Sequence, residues 1–152
     1  MPINIDNTYR INRNIDQEDQ MRYLIRDLRI FNSYSQILTI SALIGYANNA
    51  FVSFSTSAEP VLMQFFSNRE QEIMNLIAYA HVKNQSILQE KPKGDPDRNK
   101  MYQIFEAYAN GGFPILCQKL GVDFADKSKN DRYSILLKYY SMLISNNIID
   151  MI

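Results

Sequence analysis

One histidine, one cysteine and five glycines in 152 residues exclude much site chemistry at the outset. The single thiol, Cys117, has no partner for an internal disulfide. One imidazole and one thiol cannot assemble a nitrogen–sulphur zinc site without carboxylates, and no metal-ligand spacing occurs. The glycines form neither a GxGxxG nor a GxxxxGK phosphate loop, and no serine sits in a GxSxG elbow. No Asp or Glu is followed two positions later by lysine, which removes the spacing common among metal-dependent nucleases. Neither metal nor cofactor is therefore expected. An excess of either charge is missing too: 16 basic residues balance 16 acidic ones. Any binding to nucleic acid or to an anionic membrane would need a local patch. No apolar run approaches the roughly 20 residues that span a bilayer. The first thirty positions are too polar for a signal peptide, so a cytoplasmic location is expected.

What is there is helical spacing. Near the start, Tyr9, Ile11 and Ile15 alternate with Arg10, Asn12 and Asn14, predicting an extended arm or short strand over residues 1–15. Asp16 suits an N-cap, and Met21, Leu24, Ile25 and Leu28 then repeat at helical intervals. A second helix, over 33–47, would be capped by Ser33 or Ser35 and stopped at Asn48-Asn49. It is apolar nearly all round and should be central. From Phe31 to Asn68 the only charged residue is Glu59, which makes the span core or covered interface. "FVSFSTSAE" reads as extended, with Pro60 opening a short helix through "VLMQFF". "SNREQEIMNLIAYAHVKN" is the clearest helix: Ser67 with Glu70, or Asn68 with Gln71, fits a capping box, and Ile73, Leu76, Ile77 and Ala80 form its inner stripe. "QEKPKGDPDRN" is a plain loop, the segment most open to proteases. Asp95 and Pro96 then open a helix with Met101, Ile104, Phe105 and Tyr108 inward, and a last helix near 129–145 carries Tyr133, Leu136, Leu137, Tyr140 and Ile144. The predicted class is mainly α: a compact multi-helix domain over 16–152 with one or two short N-terminal or edge strands.

The stretch "YANGGFP" invites a corner. Gly111 fits the left-handed position after a helix, Gly112 allows sharp re-entry, and Pro114 suits the first turn of a short helix ending at Gly121. Tyr102, Phe105, Tyr108, Gly111, Gly112 and Phe113 are thus candidates for docking a partner, although 105 and 108 equally suit a core face. Cys117 is expected to be buried and inert. Tyr139-Tyr140 and the terminal "IIDMI" are further candidate contacts.

No residue is assigned a catalytic role. His81 has no serine or cysteine in a motif that would make it a general base, and an unfamiliar site combining His81, Glu106 and Tyr108 is the one enzymatic alternative. A nucleic-acid reading is also open. Arg10, Asn12, Arg13 and Asn14 on a strand followed by two helices have the order of a ribbon–helix–helix unit. Such a unit pairs two ribbons in a dimer and reads the major groove with Arg and Asn.

Four spaced segments, "YSQILTISALIGYANN", "EP" at 59–60, "MNLIAYA" at 74–80 and "IFEAYANGGFPIL" at 104–116, together resemble the Dnd system-associated protein 4 family. The resemblance covers about residues 30–121. It implies a bacterial setting beside DNA phosphorothioation genes, which replace a non-bridging phosphate oxygen with sulphur and serve defence against foreign DNA. It implies a process rather than a molecular activity and brings no catalytic residues with it. The expectation is a non-enzymatic accessory protein that binds other proteins of that system, with no membrane contact and with a homodimer compatible. Binding would run through the 31–68 region or the 102–116 corner. The alternative is a DNA-binding or regulatory ribbon within the same system.

Overall fold

A helix that is apolar all round needs neighbours on every side, and α2 (Tyr34–Ala47) has them. The computed structural model describes residues 9–83 and 96–145, with the backbone alone for 96–98. Around α2 stand β1 (Arg10–Ile11), α1 (Glu18–Arg22, continued by a π turn over Tyr23–Asp27), β2 (Val61–Leu62), α3 (Asn68–Val82), α4 (Pro96–Leu120) and α5 (Arg132–Ser145). β1 and β2 pair antiparallel, Arg10 opposite Leu62 and Ile11 opposite Val61. The fold is mainly α, as its spacing predicts. The expected docking tail "IIDMI", the Asp95 cap and most of "QEKPKGDPDRN" lie outside the described residues.

The ends of these elements follow from their capping chemistry. Ser33 Oγ accepts from the Gln36 N–H (3.3 Å) at the start of α2, and Asn49 stops the helix with a positive φ of 54°. Ser67 and Glu70 form the reciprocal box at α3, each side chain accepting the other's N–H at 3.0 and 2.9 Å. Asn14 rather than Asp16 caps the turn before α1, its carbonyl oxygen accepting from the Asp16 N–H (3.0 Å). Pro60 opens strand β2 and a single 3-10 turn, Met63–Phe65, instead of a helix. The arm claims that backbone: the Met63 N–H donates to the Tyr9 carbonyl (3.2 Å).

The glycine pair has a different cause from a turn. α4 runs unbroken from Pro96 to Leu120, and neither Gly111 nor Gly112 has a positive φ. The glycines instead let two helix backbones meet, for α2 and α4 make the most extensive packing in the molecule. A Cβ on Gly112 would overlap the Ser41 carbonyl, one on Gly45 the Tyr108 carbonyl, and one on Gly111 the Ala50 carbonyl. Pro114 stays helical for a second reason. A proline in a helix leaves the carbonyl four residues earlier without its donor. Here that carbonyl belongs to Asn110, and the Gln17 side-chain amide donates to it at 3.1 Å.

Two helical faces differ from the predicted ones. On α3 the buried set is Ile73, Met74, Ile77, Ala78 and Val82, while Leu76 is exposed and Ala80 half-buried. On α5 the buried set is Ile135, Tyr139, Met142 and Leu143, with Leu136 partly covered. Tyr133, Leu137, Tyr140 and Ile144 face outward. Tyr139 packs edge-on against Phe31 at 4.9 Å between ring centres, and Arg132 donates to the Leu28 and Arg29 carbonyls (2.7 and 3.2 Å) that close α1. These contacts set the rotation of α5 and decide which stripe is buried.

Candidate functional site

α4 has an apolar side toward α2 and a polar stripe, Gln103, Glu106 and Asn110, toward the N-terminal arm. Glu106 is only 6% exposed. Its Oε2 accepts from the Asn12 N–H at 2.8 Å and from the Tyr9 hydroxyl at 3.3 Å. Burial pushes the carboxyl up to about 7, against hydrogen bonds from Asn12 and Tyr9 that favour its ionised form. Burial and the neighbouring Glu106 raise the Tyr9 hydroxyl in turn. Beside the carboxyl opens a pocket of about 300 Å³, walled by the arm, the 53–57 loop and α4. Sequence reasoning named Glu106 only beside His81 and missed Gln103, Asn110 and Tyr9. The spacing 103, 106, 110 within the otherwise apolar stretch 101–117 was the available signal.

Asn110 fastens the same region. Its amide donates to the Val52 carbonyl (2.8 Å), and its carbonyl oxygen accepts from Asn14 and Gln17 (2.9 and 3.0 Å). The arm residues expected to read DNA are built into this seam. Arg13 is 3% exposed: its guanidinium pairs with Glu18, donates to the Glu59 carbonyl at 3.0 Å and lies 3.9 Å above the Tyr34 ring. Burial alone would raise the Glu18 carboxyl, yet bonds from Arg13 and Arg22 hold it below its usual value. Asn12 and Asn14 are half-buried, Ile15 is turned outward, and of the four candidates Arg10 alone is exposed. β1 takes its strand partner from its own chain.

His81 and Tyr108 do meet, Nδ1 to hydroxyl at 2.8 Å, and Phe51 stacks on the imidazole at 4.6 Å. Glu106 does not join them. Two helical positions apart means about 200° around the axis, so Glu106 and Tyr108 serve different sides of α4. The corner residues are interior: Tyr102, Phe105, Tyr108, Gly112 and Phe113 are buried and Gly111 is half-buried, so they pack the core instead of presenting a surface. Cys117 is buried and unpaired, and burial pushes its thiol up to about 12. The outward apolar feature lies elsewhere, on α5. Tyr133, Leu137, Tyr140 and Ile144, at steps of four, three and four, are 55–75% exposed.

Among the described residues no helix is long and apolar enough to cross a membrane. The fold and these surfaces define a small, mainly helical protein with a polar pocket on its arm side and an apolar helix face presented outward. The chain belongs to the family of DNA sulphur modification system-associated protein 4, whose family model matches residues 10–142. This ties it to a DNA sulphur modification system. No curated protein and no solved structure matches the chain.

Proposed function

We propose that the protein is a non-enzymatic accessory component of a bacterial DNA phosphorothioation-linked defence system, acting in the cytoplasm by binding another protein of that system. The observation that carries this reading is the outer stripe of α5. Four large apolar side chains at helical spacing on one exposed face are the pattern by which one helix docks on another protein. Burying a side chain of this size gains about 1.5–3 kcal/mol, so four of them contribute on the order of the association cost of about 4–15 kcal/mol. The DNA-reading alternative draws less support, because Arg13 is committed to Glu18 and Tyr34 and Arg10 is left as the one exposed base of the set.

The test is light-scattering chromatography of the protein alone, with a short DNA duplex, and with each other protein of the sulphur-modification system in turn. The expected result is a defined complex with one of those proteins, lost in Leu137→Ser/Tyr140→Ser and kept in Arg10→Ala. A salt-sensitive shift with the duplex that Arg10→Ala removes would overturn the reading in favour of DNA. Dimerisation through α5 that excludes every system protein would also overturn it.

A further inference from the structure

The buried carboxylate of Glu106 is held by neutral donors alone. Oε2 accepts from the Asn12 N–H and the Tyr9 hydroxyl, the Asn12 side-chain amide adds further hydrogen bonding, and all of these partners are neutral. Among the described residues that line the pocket there is no lysine or arginine, so a carboxylate with little exposure has no counter-charge among them. The side chains of Ser53, Ser55 and Gln103 line the same space and make no hydrogen bond among the described residues, so their oxygens can accept. Phe54 adds an aromatic wall. An anionic ligand would be repelled here. A group that brings positive charge and several N–H donors would meet the carboxylate, the acceptor oxygens and the ring face together.

We infer that the Glu106 pocket binds a cationic nitrogen group, an ammonium or guanidinium, carried by a small molecule or by a basic side chain of a partner protein. The volume of about 300 Å³ takes such a head group with part of its stem. Binding has a signature in acid–base chemistry. With a carboxyl that ionises near pH 7, a cation selects the ionised form and expels a proton. Affinity therefore rises about tenfold between pH 6 and pH 8, set by the fraction ionised. The groups facing the carboxylate do not blur this window. Tyr9 on the arm stays protonated throughout it, and among the described residues Glu106 is the one charged side chain that lines the pocket. This inference is independent of the α5 reading, since pocket and stripe share no residue.

The experiment is an NMR titration of the full chain with methylguanidinium, followed by a neutral peptide carrying one arginine. The signals read are the Glu106 carboxyl carbon and the Asn12 and Ser55 amides, at constant ionic strength. The expected result is saturable shifts, an affinity rising about tenfold from pH 6 to 8, and a lowered Glu106 titration midpoint when ligand is bound. Glu106→Gln, which keeps an acceptor for the Asn12 N–H, should weaken binding at least tenfold. Equal response to methylguanidinium and peptide marks a small-molecule site; clearly tighter peptide binding marks a partner's side chain. Absence of saturable shifts, a pH-independent affinity, or unchanged binding by Glu106→Gln would overturn the inference. The pH series uses the unaltered protein, so the outcome does not hang on how the variant folds.

Discussion

At the scale of single residues, the informative positions are polar groups in apolar places. Glu106 has its ionisation raised from about 4.5 to about 7, so between those values the folded chain holds more protons than the unfolded one. Stability attributable to this group then falls as pH rises through that window, by about 3 kcal/mol in total, and stays low above it. Glu106→Gln carries no such titration. Its stability relative to the natural chain should be near zero or negative at pH 4.5 and should rise by about 2–3 kcal/mol at pH 8. Urea unfolding at the two pH values measures this, and a difference independent of pH would show that the carboxyl is not strained by burial. Ser41 is the converse case: its buried hydroxyl has no partner among the described residues, so Ser41→Ala should be neutral or stabilising by up to about 1 kcal/mol in the same assay.

Gln17 and Pro114 form a pair that no local pattern relates. Proline 114 withholds a donor from the Asn110 carbonyl, and Gln17, 93 residues away in sequence, supplies one. Gln17→Ala should cost about 1–3 kcal/mol by leaving that buried carbonyl bare. In a Pro114→Ala background the helix regains its own N–H at that position, and the same change should cost distinctly less. A double-mutant cycle in thermal unfolding would detect the coupling. Strictly additive effects would mean that the helix does not use the restored N–H. Reading Pro114 as a helix start was reasonable from sequence, because the compensating donor comes from a distant segment.

At the scale of elements, caps were legible and partners were not. Ser33, Asn49 and the Ser67–Glu70 box act within a turn of their own helix, so sequence proximity is enough to reveal them. The continuity of α4 through Gly111-Gly112 depends instead on where α2 lies, and glycine carries the same letter whether it serves a turn or a close crossing. The site was legible only to the extent that Glu106 and Tyr108 drew notice; the arm that covers Glu106 is placed by long-range bonds to Asn12 and Tyr9. The crossing has a direct test. Gly112→Ala pushes a methyl into the Ser41 carbonyl, backbone against backbone, and should cost at least about 2 kcal/mol. At Gly121 the nearest obstacle is the mobile end of Lys138, and its φ of 71° sets a cost of about 1 kcal/mol for alanine. A ranking with Gly121 the more sensitive would restore the corner reading.

At the scale of the molecule, α5 has two apolar faces and only one of them is spent on folding. Ile135, Tyr139, Met142 and Leu143 meet the body of the protein, whereas Tyr133, Leu137, Tyr140 and Ile144 meet solvent. A helix patterned this way appears uniformly apolar in sequence, and the contacts of Phe31 and Arg132 decide which stripe turns inward. If the outer stripe serves binding alone, stability and association should separate cleanly. Tyr139→Ala should lose about 3–5 kcal/mol, in the range for deleting a buried aromatic. Leu137→Ser/Tyr140→Ser should change stability by less than about 0.5 kcal/mol, as surface changes do, while abolishing complex formation. Matched losses in both variants would mean that the outer stripe is covered within the folded chain, and the case for a docking helix would fall with it.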